Sequence, residues 1–305
     1  MGTQKIIIFG YGFEGVMLYR ELVHDERYEV LGFADNSPYK QHKAVGRYVI
    51  LSLDDLIELK DEKDFSVIIA ANRWFVIGEE LEKNHISIEG IYRNGKICKY
   101  DRMCFERLDL TRQIVLYAGD IADDVHMAEP NLYGLSINQS DAKHILHDIT
   151  QKYPLPENSI YSYQAEDVLE HIEFVKIVDA INEIYRILQP GGLFRICLPD
   201  YYSPYLSDIS MRDEGGKIVF DPTGGGNYGM NGVENAGHVW FPNHDLVRDL
   251  LEKTRFHKID FLCYHTKSGE LLKKGIDLSK GYIKRLPKAN ETNKPVYSIV
   301  VDCYK

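Results

Sequence analysis

Apolar residues fall along the chain in two alternating arrangements, short continuous runs and longer stretches in which they recur every three or four positions. Lys5 to Phe9 (KIIIF) is a continuous run of the kind made by a parallel strand buried on both faces, and Phe13 to His24 then reads as a helix. Tyr28 to Ala34 is a second run. Leu53 to Lys60 (helix), Ser66 to Ala70 (strand), Trp74 to Asn84 (helix) and Ile88 to Tyr92 (strand) continue the alternation. This predicts a small doubly wound α/β domain over residues 1–93. Residues 94–110 (NGKICKYDRMCFERLDL) are charged and without a clear period, and read as a linker or lead-in helix.

The alternation resumes with strand-like runs at Gln113 to Tyr117, Leu132 to Ile137, Ser159 to Tyr163, Leu193 to Leu198, Lys258 to Cys263 and Val296 to Asp302. A helix is expected over Glu166 to Leu188, with Ile172, Val175, Ile177, Val178, Ile181, Ile184, Ile187 and Leu188 forming its core face. Gln189-Pro190-Gly191-Gly192 stops it and turns the chain into the next strand. A second doubly wound sheet over residues 111–305 follows. The stretch 201–237, rich in Tyr and Gly, shows no helical period. A long irregular segment inside a compact domain is expected to be functional or disordered, and this one follows a strand's carboxyl end, the side on which open α/β sheets bind ligands.

Composition narrows the possible partners. The 305 residues carry 36 Lys+Arg against 46 Asp+Glu, a formal charge of -10. There is no basic excess to hold a phosphodiester backbone, so nucleic acid is not expected as a partner, while a small anionic ligand stays compatible because helix N-termini bind one without net positive charge. No apolar run approaches the ~18 residues of a membrane span. The amino terminus has no secretory pattern, and five cysteines without a Cys-x-x-Cys pair suggest a reduced, cytoplasmic protein. Assembly into a homo-oligomer is left open.

Gly10-Tyr11-Gly12-Phe13-Glu14-Gly15 directly follows the first strand, and Asp35 ends the second, 20 residues after Gly15. This is the dinucleotide fingerprint: glycines for the tight turn, for a pyrophosphate's approach and for helix packing, then an acid for ribose hydroxyls. The same glycines also serve α/β domains that bind no nucleotide. The segments "IFGYGFEG", "GFADNSPYKQ" and "VILSLDDL" resemble small Rossmann-like domains fused to bacterial sugar-modifying enzymes. That resemblance implies a nucleotide or nucleotide sugar at Gly10, Gly12, Gly15 and Asp35, or a scaffold.

In the second domain, "LPENSIYSYQAEDVLEHI" followed by "INEIYRILQPGGLFRICLPD" resembles the class I S-adenosylmethionine-dependent methyltransferases from their fourth strand through their fifth. The resemblance implies a seven-stranded sheet closed by an antiparallel hairpin. It also implies a cofactor, S-adenosylmethionine, held by Gly119, Asp120, Asn138, Asp148, Gln164 and Asp167. Two departures from the family stand out. The loop after Tyr117 has one glycine where several are usual, and Asn138 stands where an acid normally takes the ribose hydroxyls.

For methyl transfer to oxygen or nitrogen, positioning plus a base suffices. His171 follows the fourth strand where the substrate cleft opens, although an ordinary helix-surface histidine would look the same. His238, in GHVWFPNHDL, is the favoured base with Asp200 as its partner; anchoring the loop is the alternative. Tyr201, Tyr202, Tyr205, Tyr228 and Trp240 are candidates to stack on a sugar. His144-x-x-His147 would share a helix face but lacks a third ligand cluster, so no metal is expected there, and Asp123-Asp124 reads as a solvated loop. The favoured function is methyl transfer to a carbohydrate, sugar phosphate or related small molecule. A binding or scaffold protein that has lost the cofactor, and an NAD-linked sugar enzyme, are the alternatives.

Overall fold

In the computed structural model, which describes residues 3–230, 232–288, 290–291 and 293–305, the chain divides into two units, Met1–Arg102 and Met103–Lys305. The first is built on β1 (Gln4–Phe9), whose Ile6, Ile7, Ile8 and Phe9 are fully buried, as a central parallel strand requires. After it come α1 (Phe13–Leu22), β2 (Tyr28–Ala34), β3 (Ala44–Val45), β4 (Tyr48–Leu51), α2 (Leu53–Glu62), β5 (Ser66–Ile69), α3 (Trp74–Lys83), β6 (Ile88–Arg93) and β7 (Lys96–Cys98). The sheet order is β3-β4-β2-β1-β5-β6-β7. Helix α2 starts where Ser52 and Asp55 exchange hydrogen bonds with each other's backbone N–H, which occupies two donors the first turn leaves open.

The second unit contains β8 (Val115–Ala118), α4 (Asp124–Ala128), β9 (Leu132–Ser136), β10 (His144–Leu146), β11 (Ile160–Glu166), α5 (Phe174–Ile187) and β12 (Leu188–Pro199). It continues through α6 (Pro204–Ile209), β13 (Met211–Arg212), β14 (Ile218–Phe220), β15 (Asn227–Gly229), β16 (Gly232–Glu234), α7 (His244–Leu251), β17 (Lys258–His265), β18 (Leu271–Lys273) and β19 (Ser298–Tyr304). Its main sheet runs β10-β9-β8-β11-β12-β19-β17-β18, parallel from β10 to β12, with β19 antiparallel between β12 and β17. The chain moves outward from β8 to β10 and then crosses back to place β11 on the other side of β8. The carboxyl ends of β8 and β11 therefore flank the topological switch point, where open α/β sheets take their ligands.

Several expectations need correction. The stretch 94–110 is no free linker: β7 pairs with β6 in the first unit, and Phe105 and Leu108 enter the core of the second. The main sheet has eight strands rather than seven, because the chain folds back after β17 into the short β18. His144 and His147 do not share a helix face, since His144 lies in strand β10. Helix α5 begins at Phe174, not Glu166. Residues 160–166 complete strand β11 and Leu169–His171 form a single tight turn. Buried Ile177, Ala180, Ile181, Ile184 and Ile187 give α5 its core stripe. Segment 201–237 is not structureless: Ser203 caps α6, with Pro204 in its first turn, and two hairpins, β13–β14 and β15–β16, follow.

Candidate active site

In the first unit the fingerprint glycines have different tasks. A Cβ on Gly10 (φ +114°) would lie 2.3 Å from the Ala70 carbonyl oxygen and one on Gly15 1.9 Å from that of Gly10, so both are required by the fold itself. Gly12 faces open space. The Asp35 carboxylate, read as a ribose acceptor, takes hydrogen bonds from Tyr11 N–H (2.8 Å), Ser37 N–H (2.9 Å) and Lys40 Nζ (2.9 Å). These contacts tie the loop to the second strand with no ligand needed.

In the second unit a cavity of about 500 Å³, in the range of small-molecule sites, opens at the switch point. Gly119, Asp120, Asn138, Asp148 and Asp167 line it, joined by His171 from the turn after β11. Gly119 has φ +88°, and a Cβ there would lie 3.2 Å from Val168 Cγ2, so this one glycine holds the β8 loop against the β11 loop. Ser136 shapes the loop bearing Asn138, its Oγ accepting from Asn138 N–H and Gln139 N–H. One Asp148 oxygen holds Thr150 through N–H and hydroxyl. Asp167 adopts φ +57°, a conformation costly for a non-glycine residue. It pairs with Arg285, and its Oδ1 is buried without a partner. Gln164 does not belong here: it lines a different cavity and donates to the Tyr282 carbonyl at 2.6 Å.

A second cavity of about 500 Å³ shares Gly119, Asp120, Asp167 and Val168 with the first and continues to Glu166, Lys284, Arg285 and Tyr297. Glu166 accepts from Lys284 N–H and Arg285 N–H, and burial pushes its carboxyl up from the usual range.

The turn Leu169–His171 is clamped to segment 236–240. Val239 N–H donates to the Glu170 carbonyl (2.9 Å), Trp240 Nε1–H to that of Leu169 (2.9 Å), and His171 Nδ1–H to that of Ala236 (3.0 Å). Asn235 and Ala236 both sit at positive φ to make this close approach. The clamp brings Glu170, His171 and His238 together, with the two imidazole centroids 4.8 Å apart. His238 is held from behind. Its Nδ1 lies 2.6 Å from the Tyr201 hydroxyl, which lies 2.6 Å from Asp221 Oδ2. Tyr201 has one proton, which goes to the carboxylate, so His238 donates from Nδ1 and keeps a lone pair on Nε2.

That Nε2 stands 3.7 Å from Glu170 Oε1. Burial pushes the Glu170 carboxyl up to about 8 and the His238 imidazole down to about 4, so at neutral pH the two are not an ion pair. Gly224 packs beneath the ring; a Cβ there would lie 2.6 Å from it.

The expected His238–Asp200 pairing is absent. Asp200 accepts from His265, at the end of β17, through both N–H (2.5 Å) and Nδ1 (3.0 Å), and it is the next residue, Tyr201, that reaches His238. The acid behind His238 is Asp221, and Glu170 faces it from the front. Sequence reading missed both, although Glu170 lies inside the quoted DVLEHI segment. His144 is tied to Asp141 and Ile121 N–H, and Asp123 caps α4. Tyr201, Tyr202, Tyr228 and Trp240 line a further cavity of about 970 Å³, whereas Tyr205 stacks on Tyr297.

Residues 113–196 match the family model of a methyltransferase domain. Among solved structures, the chain is similar to a SAM-dependent methyltransferase from Archaeoglobus fulgidus, at 13% identity over 66% of this chain and 90% of that one, TM-score 0.41. It is also similar to one from Methanosarcina mazei, at 12% identity over 64% and 93%, TM-score 0.40. A third is the 1,6-didemethyltoxoflavin-N1-methyltransferase of Burkholderia thailandensis, at 9% over 64% and 72%, TM-score 0.38. No curated protein matches the chain in sequence. Residues 113–196 are thus similar to a methyltransferase domain. Among the described residues no helix is long and apolar enough to cross a membrane.

Proposed function

We propose that the protein transfers a methyl group from S-adenosylmethionine to an oxygen of a carbohydrate, sugar phosphate or related small molecule. The observation that carries this is the switch-point cavity, which gathers Gly119, Asp120, Asn138, Asp148, Asp167 and His171 at the carboxyl ends of β8, β9 and β11. The residues present fit the cofactor: a loop kept open by a glycine at positive φ, an exposed amide at Asn138 for ribose hydroxyls, and carboxylates at Asp148 and Asp167 as hydrogen-bond acceptors. S-adenosylmethionine, when bound, supplies a methyl group on a sulfonium, electrophilic without further activation.

The chain's own residues then have two tasks, to align the acceptor oxygen and to take its proton. His171 suits the second, because it lines the cavity and its Nδ1–H donates to backbone carbonyls, leaving the Nε2 lone pair as acceptor. His238, the base favoured on sequence, is buried outside that lining and holds its proton weakly, so it acts as a positioning residue.

Calorimetry with S-adenosylhomocysteine tests the reading, with saturable binding expected. Transfer of label from S-adenosylmethionine to a panel of sugars and sugar phosphates then identifies the acceptor. Absence of heat at millimolar ligand would remove the proposal.

A further inference from the structure

Glu170 is the most conspicuous polar group that this mechanism leaves without a task. It is wholly buried, and neither carboxylate oxygen has a hydrogen-bond partner. Isolating a carboxylate in this way is costly, and folded proteins relieve the cost by protonating the group or by placing a cation against it. What surrounds Glu170 is a pair of imidazoles. One donor atom from each of Glu170, His171 and His238 lies within 4.8 Å of the others.

Both imidazoles are set up as ligands by their second hydrogen bonds. His171 Nδ1–H is held by the Ala236 and Gly237 carbonyls at 3.0 and 3.2 Å, and His238 Nδ1–H by the Tyr201–Asp221 chain at 2.6 Å. Each ring therefore keeps its lone pair on Nε2. Metal-binding histidines are fixed in the same way, by a carbonyl or carboxylate behind the ring.

We propose that Glu170, His171 and His238 form a binding site for a divalent transition-metal ion. Two ligands of one ion at ~2.1 Å can stand at most about 4.2 Å apart. The 3.7 Å between His238 Nε2 and Glu170 Oε1 already satisfies that limit, and the widest separation in the set, 4.8 Å, needs to close by about 0.6 Å. Two imidazoles and one carboxylate suit zinc, iron, cobalt or manganese rather than magnesium or calcium, which prefer all-oxygen shells. Three protein ligands leave positions open, and His171 is the ligand that lines the switch-point cavity. In the methyl-transfer reading, on which this functional step rests, an ion there would bind the acceptor oxygen and acidify its proton. His171 would then act as a ligand in place of a base. The sequence led to the expectation of no metal site, because Glu170 and His171 are far from His238 along the chain and meet it only through the clamp on segment 236–240.

The test uses the full chain, stripped with chelator and titrated with Co²⁺, whose visible absorption reports its coordination. The expected result is one saturable equivalent with bands of a low-coordinate nitrogen–oxygen site. Affinity should fall roughly tenfold or more in Glu170→Gln, which keeps the shape of the buried side chain, and in exposed His171→Ala. It should be unchanged in His257→Ala, a surface histidine remote from the cluster in sequence. No saturable uptake by the wild type, or uptake that survives both ligand substitutions in folded protein, overturns the site. S-adenosylhomocysteine calorimetry on the stripped protein reports separately on methyl transfer, so failure of that reading is distinguishable from failure of the metal site.

Discussion

The Tyr201 hydroxyl lies 2.6 Å from His238 Nδ1, and on its other side it donates to Asp221. Tyr201→Phe removes the one group that fixes which His238 nitrogen carries the proton. It also deprives Asp221 Oδ2 of its donor in a buried setting, although Thr223 still holds Oδ1. Losing such a partner costs about 1–3 kcal/mol. We expect that loss in urea denaturation, together with a change in the His238 ¹⁵N tautomer signature and lower methyl-transfer turnover. S-adenosylhomocysteine affinity should stay as in the wild type. An unchanged tautomer signature would show that Tyr201 does not orient the ring.

Gly119 and Val168 face each other across the switch point. Gly119→Ala forces an L side chain into φ +88°, at about 1–2 kcal/mol, and brings a methyl to 3.2 Å from Val168. The added methyl narrows the strip shared by the two cavities. Calorimetry should show S-adenosylhomocysteine binding weakened roughly tenfold, about 1.4 kcal/mol, with the far-ultraviolet circular dichroism preserved. Binding as tight as in the wild type would exclude Gly119 from the cofactor site.

Much of the sheet was legible because buried parallel strands announce themselves as unbroken apolar runs, as Ile6 to Phe9 do. Edge strand β10 was not, since three residues between polar loops carry no period. The residues after β8, β9 and β11 that line the cavity were named by the family resemblance. Gln164, named with them, lines a different cavity, because a strand residue's face depends on pleat register. Glu170 was missed for a different reason. One acid in a turn looks like a solvated one until segment 236–240 closes over it, where Asn235 and Ala236 both adopt positive φ, a conformation that Asn favours and Ala does not announce. Asp200, at the carboxyl end of β12, is one residue out of place for His238, which Tyr201 reaches, and it binds His265 instead.

Arg195 and Asp302 stand directly opposite each other on β12 and β19 and form two parallel hydrogen bonds of 2.8 Å, both nearly excluded from solvent. Asp302→Asn leaves a buried guanidinium without its counter-charge, a change that typically costs about 3–5 kcal/mol. Arg195 would retain the Asp277 and Gly281 carbonyls as acceptors, which cannot neutralise it. Urea midpoints should drop accordingly. An Arg195→Met/Asp302→Leu double variant should recover much of the loss, because two apolar groups need no compensation. Equal midpoints for the single variant and the wild type would show that the pair contributes nothing net.

His147 packs between Phe105 and Tyr153, with ring centroids 5.0 and 4.5 Å away, and its Nε2 is buried without a partner. Burial lowers its pKa below the ordinary imidazole value. The unfolded chain therefore binds a proton more readily at this position than the folded one, so stability rises with pH across the interval between the two values. The favourable contribution of a neutral His147 is complete above the ordinary pKa of ~6.5 and is lost progressively as pH falls below it. His147→Phe keeps an aromatic ring and removes the titration. Urea midpoints measured at about pH 7.5 and 5.5 should fall less steeply with acidification in the variant than in the wild type. Parallel falls in the two proteins would mean that His147 is protonated as easily in the fold as outside it.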